Sequence, residues 1–192
     1  NGSGIVGWQW QAGQGTNTTN TSGNVTSTVS VNTTAGFSIV TYTVTTTPSM
    51  TIGHGLGVAP KMIIEKRRDG AANWDVYSAS LGNTGRLILN STSAFDVQAG
   101  VWNNTTPTST VFSQQGNGGW HAVGSTCVAY CFAEIAGFSK FGSYTGNGST
   151  DGPFVYTGFR PKYVMVKGNV AGVDWAISDS SRNTYNVVNA RL

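Results

Sequence analysis

Charge is the scarcest commodity in this sequence. Only 10% of its 192 residues are Asp, Glu, Lys or Arg, against roughly 25% in an average globular chain. The net charge is +3, whereas a nucleic-acid binder gathers a dense basic face, so no nucleic-acid partner is expected. No apolar run approaches the roughly 20 residues that a spanning helix needs, and membrane insertion is not expected. Strong helix formers such as Glu, Lys, Leu and Gln are scarce as well, which removes the usual basis for a helical domain. A secretory signal is missing too, but Asn1 is not a natural start, and the chain is expected to be a fragment or a processed product.

Cysteine is limited to Cys127 and Cys131. On a strand they face the same way about 13 Å apart, at roughly 3.3 Å per residue, and a disulfide needs Cα atoms within about 7 Å. Two free, buried thiols are expected, as in a protein folded in a reducing cytoplasm. The two histidines, His54 in "IGHGLG" and His121 in "GGWHAVG", match no metal-ligand spacing. No metal and no cofactor are predicted. The eight acidic residues show no pairing that selects two carboxylates for glycoside hydrolysis. A nucleophile elbow is lacking, and the Gly-rich pieces "GHGLG" and "GNGSTDG" open no helix, so they read as turns rather than phosphate cradles. The chain is therefore not expected to be an enzyme.

What the sequence has in abundance is Asn, Thr, Ser and Gly (26 Gly), together with 6 Trp, 7 Tyr and 8 Phe. Aromatic and β-branched residues favour strands and can build a core, and the neutral polar surface is of an extracellular kind. Such a surface on a chain with reduced cysteines fits a virion protein, made in a bacterial cytoplasm and released by lysis. Turn signals every 8–12 residues predict a β-sandwich. Strands are predicted at "VTSTVSV" (25–31), "KMIIEK" (61–66), "WDVYSAS" (74–80), "RLILN" (86–90), "STVFSQQ" (109–115), "CVAYCFAEI" (127–135), "KYVMVK" (162–167) and "WAISDSS" (175–181). Residues 1–34 read as a polar lead-in, a linker or an edge strand, with Trp8 and Trp10 on one strand face packing against a neighbouring segment.

One offset recurs. Gly36-Phe37-Ser38 returns as Gly137-Phe138-Ser139, Pro60-Lys61 as Pro161-Lys162 and Trp74 as Trp175, each 101 residues on. A constant offset over such a stretch indicates an internal duplication, with copies at about 36–80 and 137–181. Equivalent core positions are expected for Phe37 and Phe138, and for Trp74 and Trp175. The apolar runs between lysines are expected to be strands buried on both faces, with snorkelling Lys at their ends. The predicted architecture is an all-β sandwich, of jelly-roll or concanavalin-like type, spanning residues 35–192.

For recognition, Trp102 and Trp120 sit in Asn/Gly-rich stretches outside the repeat, and Arg67 and Arg68 belong to a small basic group with Lys61 and Lys66. These four are the candidate glycan contacts, by ring stacking and by charge. Core packing for the tryptophans and edge protection for the cations are the competing roles.

Long phrases carry a resemblance: "GFSIVTYT", "IGHGLGVAPKMIIEKRRDGAANWDVY", "TSTVFS", "VAYCFAEIAGFSKFGSYTGNGSTDGPFVYTGFRPKYVMVK" and "DSSRNTYNVVNARL". Over about residues 20–192 the chain resembles a domain of tail-fibre-like virion proteins of marine bacteriophages, a family often found beside laminin-G or concanavalin-like modules. It departs from that pattern at "TVTTTPSM" (43–50) and "KGNVAGVDW" (167–175). The resemblance implies a non-enzymatic structural or receptor-binding module of a virion appendage, acting in assembly, display or host attachment. It also implies other virion or tail proteins as partners, a homo-oligomer (a trimer), and a host surface glycan as the ligand in attachment. A carbohydrate-binding module of a secreted protein is the alternative reading, and a glycan depolymerase comes third.

Overall fold

A computed structural model describes residues 7–15 and 17–182. Twelve strands are present: β1 Thr18–Asn20, β2 Ser27–Asn32, β3 Phe37–Thr43, β4 Ser49–Gly53, β5 Met62–Arg67, β6 Trp74–Ser78, β7 Gly82–Ile88, β8 Asp96–Val97, β9 Val111–Gln115, β10 Thr126–Phe132, β11 Tyr163–Lys167 and β12 Trp175–Asp179. The described residues contain no helix long and apolar enough to cross a membrane. Eight strands form one sheet in the order β1-β2-β3-β10-β5-β6-β7-β8, and β4-β9 and β11-β12 form two-stranded sheets. All named pairings are antiparallel. The chain is an all-β sandwich, in which β4-β9 packs on one face of the large sheet.

The alternation of side chains explains that packing. In β10 the residues Cys127, Ala129 and Cys131 are buried on one face, and in β3 Val40 and Tyr42 are buried beside them. The small Cys-Ala-Cys face leaves room for bulky partners. Met50 and Ile52 of β4 and Phe112 of β9 join it, with the Tyr42 and Phe112 rings 6.0 Å apart, in one core that also holds Trp102. Both cysteines are free and buried. Ser27 and Ser38 hydroxyls donate to the carbonyls of Gly53 and His54 at 2.7 and 2.6 Å, tying the end of β4 to β2 and β3.

The opposite face carries an aromatic row. Trp74 stacks on Tyr130 at 6.4 Å, Phe37 lies 4.8 Å from Phe132, and Phe132 meets Trp10 at 6.2 Å and Phe141 at 6.4 Å. Trp8 and Trp10 also meet Tyr163 of β11, at 5.7 and 5.4 Å. No strand forms at Trp8 and Trp10. The Trp10 indole instead bridges Phe132 of the large sheet to Tyr163 of the β11-β12 hairpin, and Trp8 packs on the same tyrosine. That hairpin is held further by Trp175, whose Nε1 donates to the Ile88 carbonyl at 2.9 Å.

The hairpins β5-β6 and β11-β12 have the same register. Met62↔Ser78, Ile63↔Tyr77, Ile64↔Val76, Glu65↔Asp75 and Lys66↔Trp74 correspond one for one to Tyr163↔Asp179, Val164↔Ser178, Met165↔Ile177, Val166↔Ala176 and Lys167↔Trp175. Lys66 Nζ donates to the Ala72 carbonyl and Lys167 Nζ to the Val173 carbonyl, each at 2.6 Å. The lysines therefore staple the hairpin loops, where snorkelling at the strand ends was expected. Trp74 and Trp175 occupy matching, half-buried places.

The environments differ. β5 lies between β10 and β6, whereas among the described residues β11 pairs with β12 alone. Val164 is consequently exposed in mid-strand, so the second apolar run is not buried on both faces. Phe37 is 5% exposed and Phe138 61%, which overturns the expectation that they share equivalent core positions. Ser139 lies outside the named strands and meets Ile135 through an isolated bridge.

Candidate functional site

Polar side chains converge on the inner face of the large sheet. The register places Tyr42 of β3 opposite Cys127 of β10, Ala129 opposite Glu65 of β5, and Glu65 opposite Asp75 of β6. Tyr42, Cys127, Glu65 and Asp75 thus form an oblique row across four adjacent strands, with Cys127 and Glu65 diagonal neighbours on one face. Gln114 joins from β9 of the covering sheet, accepting a hydrogen bond from Tyr42 Oη on its Oε1 at 3.0 Å. Trp120 and His121 come from the 116–125 connection between β9 and β10. That connection is fixed by backbone bonds: Gly116 and Asn117 N–H donate to the Pro48 and Thr45 carbonyls, and Gly124 N–H to Val44. Asn117 and Gly118 have positive φ, 54° and 74°, which turns the chain back over the sheet.

Glu65 is fully buried. It accepts from Tyr42 Oη at 3.4 Å and pairs with His121 Nε2 at 3.3 Å. Asp75, also buried, is held more tightly: Arg86 Nη1 lies 2.5 Å from one of its oxygens, and Trp120 Nε1 donates to the other at 2.8 Å. Arg86 reaches Asp96 at 3.1 Å as well and lies 4.4 Å from the centre of the Trp120 ring, a cation–π contact. Burial raises the Asp75 pKa, Arg86 opposes it, and the Glu65 charge next door adds to the rise. Burial, then the Glu65 charge, pushes the Tyr42 hydroxyl and the Cys127 thiol up. Cys127 is thus a protonated thiol in this environment and is not poised as a nucleophile.

A carboxyl oxygen of Glu65, an imidazole nitrogen of His121 and the Cys127 sulfur all lie within 4.8 Å of one another. Oxygen, nitrogen and sulfur donors are therefore gathered in one place in the interior. Sequence spacing conceals the trio, because its members come from three separate parts of the chain. The one available signal was Glu65, an acid inside an otherwise apolar strand run, at a position whose alternation points inward.

The candidate glycan contacts are dispersed. Trp102 is a core residue, 1% exposed, with its ring 5.7 Å from Tyr77, so it offers no face to a sugar. Trp120 is half-buried and engaged by Asp75 and Arg86. Arg67 is paired with Asp69 at 2.8 Å, and Arg68 is exposed. His54 is structural. Its Nε2 lies 3.2 Å from the Thr108 carbonyl and its Nδ1 accepts from Leu56 N–H at 3.2 Å, which sets a neutral ring with the proton on Nε2. Burial lowers its pKa. The carboxylates Glu65 and Asp75, which sequence spacing did not pair, are cross-strand neighbours, both enclosed within the sandwich.

The fold and this buried cluster define an all-β sandwich domain with a polar heart. The chain matches a family described as "Domain of unknown function (DUF7483)" over residues 1–192, and it belongs to that family. No curated protein and no solved structure matches it.

Proposed function

We propose that the chain is a non-enzymatic module of a phage tail fibre or related virion appendage, and that its work is assembly and display. The virion assignment draws on the sequence resemblance. The assembly role draws on one structural observation, the crowding of exposed apolar side chains in one stretch of the chain. Among the described residues, eight of the twelve large ones fall in sequence between Phe138 and Val173, including Phe154 at 90% and Tyr156 at 78% exposure. A concentration of this kind marks a surface that another molecule covers. The shared hairpin register supports reading residues 36–80 and 137–181 as copies of one unit. On that reading β11 has, among the described residues, an open edge where β5 has β10, and open edges invite pairing or cover. A second and a third copy of the chain, in closed rotational symmetry, would cover this region.

Light scattering on the purified chain tests the proposal. A homotrimer is expected at micromolar concentration, and the double substitution Phe154→Ser/Tyr156→Ser is expected to yield a folded monomer. A wild-type monomer at tens of micromolar would overturn assembly as the role. Antibodies raised against the chain should decorate fibres on intact particles; decoration of none would overturn the virion assignment. Host attachment is the second reading, and it has less support from the site residues, since Trp102 is enclosed and Trp120 engaged.

A further inference from the structure

We propose that Glu65, His121 and Cys127 form a binding site for a divalent transition-metal ion of borderline softness, zinc foremost. The donor chemistry comes first. Thiolate, imidazole and carboxylate together suit zinc and its neighbours, whereas calcium and magnesium take oxygen ligands. The geometry is close to what four-coordinate zinc needs. Bonds of about 2.0–2.3 Å in a tetrahedron put ligand atoms roughly 3.3–3.8 Å apart. The three donors here lie within 4.8 Å of one another, and His121 Nε2 is already 3.3 Å from Glu65 Oε2. Two ligands stand on adjacent central strands and the third on a tethered connection, so closure on an ion requires only small side-chain movement.

Charge is the second argument. A Cys127 thiolate and a Glu65 carboxylate sum to −2, which cancels a divalent cation and leaves a buried neutral site. Binding forms a metal–sulfur bond and breaks the S–H bond, releasing that proton to solvent with no change of oxidation state. Without an ion, Glu65 is held loosely for a fully buried carboxylate. Its contacts to His121 and Tyr42 are 3.3 and 3.4 Å, where charge-assisted hydrogen bonds run about 2.5–2.9 Å. Asp75, one strand away, has its own cation in Arg86.

Gln114 supplies an independent third observation. It is fully buried, its Oε1 accepts from Tyr42 Oη, and its Nε2 has no hydrogen-bond partner. A buried amide of this kind ordinarily has an acceptor. Tyr42 Oη joins this amide to Glu65, at 3.0 and 3.4 Å, so the unpartnered Nε2 belongs to the same buried polar network as the three donors. The inference does not depend on the assembly role, since a monomer would bind the ion equally well.

The test uses the full chain, reduced and stripped with a chelator, with Co2+ as a spectroscopic probe. One equivalent should produce a thiolate-to-cobalt charge-transfer band in the near ultraviolet and the intense visible bands of four-coordinate cobalt. One equivalent of Zn2+ should abolish both. Cys127→Ser should lose the charge-transfer band, and His121→Ala should weaken binding by about tenfold or more, as disturbing a metal site's ligand shell commonly does. Cys131→Ser is the control. Cys131 is equally buried on the same strand face but stands outside the trio, so its replacement should leave the spectrum intact. If Cys127→Ser does not fold by circular dichroism, the wild-type titration and Cys131→Ser decide the matter. The proposal falls if the wild-type chain shows no such band at tens of micromolar. It falls equally if the band survives in folded Cys127→Ser or vanishes in Cys131→Ser.

Discussion

Replacing Arg86 with Met probes the electrostatics under the sandwich. Arg86 places a nearly enclosed guanidinium, 12% exposed, 2.5 Å from an Asp75 carboxylate that is itself 1% exposed. Methionine retains much of the aliphatic stem but removes the charge and its cation–π contact with Trp120. Asp75 then keeps the Trp120 N–H at 2.8 Å and faces Glu65 across the β5-β6 pairing with no cation between them. Leaving a buried carboxylate without its partner costs about 3–5 kcal/mol. For a chain of this size each kcal/mol moves Tm by about 2–4 °C, so a fall of roughly 6–20 °C is expected. Asp75→Asn in the same background should restore part of the loss, because the stranded charge is gone. Guanidinium unfolding followed by tryptophan fluorescence and circular dichroism reads all three variants. A coupling of about 1–3 kcal/mol between the two sites is the expected result. If Arg86→Met costs less than about 1 kcal/mol, or if the two substitutions add within about 0.5 kcal/mol, then the pair does not carry the stability assigned to it.

Two further expectations concern the core. His54 is neutral and buried, with its pKa held below the ordinary 6.5, so its contribution to stability is complete above that value. It is lost as pH falls toward the folded-state pKa, because only the unfolded chain takes up the proton there. Urea midpoints measured from pH 7.5 down to 5 should fall more steeply for the wild type than for His54→Gln; the reverse order would refute the assignment. Trp102 has no hydrogen-bond partner on its Nε1. Trp102→Phe should therefore cost only the volume it loses, clearly less than the about 3–5 kcal/mol expected for Trp102→Ala. A Phe variant as damaged as the Ala variant would show that the indole N–H matters.

Strand positions were legible in the sequence wherever alternation or apolar runs were strong. "CVAYCFAEI" became β10 and "KMIIEK" became β5, and the repeated offset placed both hairpins in the same register. Burial was legible only where a strand has neighbours on both sides. Phe138 repeats the letter of Phe37 but lacks its surroundings, because the strands that shelter Phe37 do not recur around the second hairpin. For Trp102 the Gly/Asn-rich context left a sugar platform and core packing both open, because such a context signals a surface loop; the side chain lies in the core. The Glu65, His121 and Cys127 cluster was illegible for a different reason. Strand order determines which distant residues meet, and no local pattern announces that β10 inserts between β3 and β5.

That insertion also fixes the timing of the fold. The central strand of the large sheet comes late in the chain, with Ala129 paired to Val40 on one side and Glu65 on the other. During synthesis β3 and β5 leave the ribosome well before β10. At about 5–20 residues per second, their bare edges wait on the order of several seconds for the strand that joins them. Such non-local pairing makes folding slow, with loop closure preceding any reward. The nascent chain is then most exposed to mispairing between neighbours on a polysome.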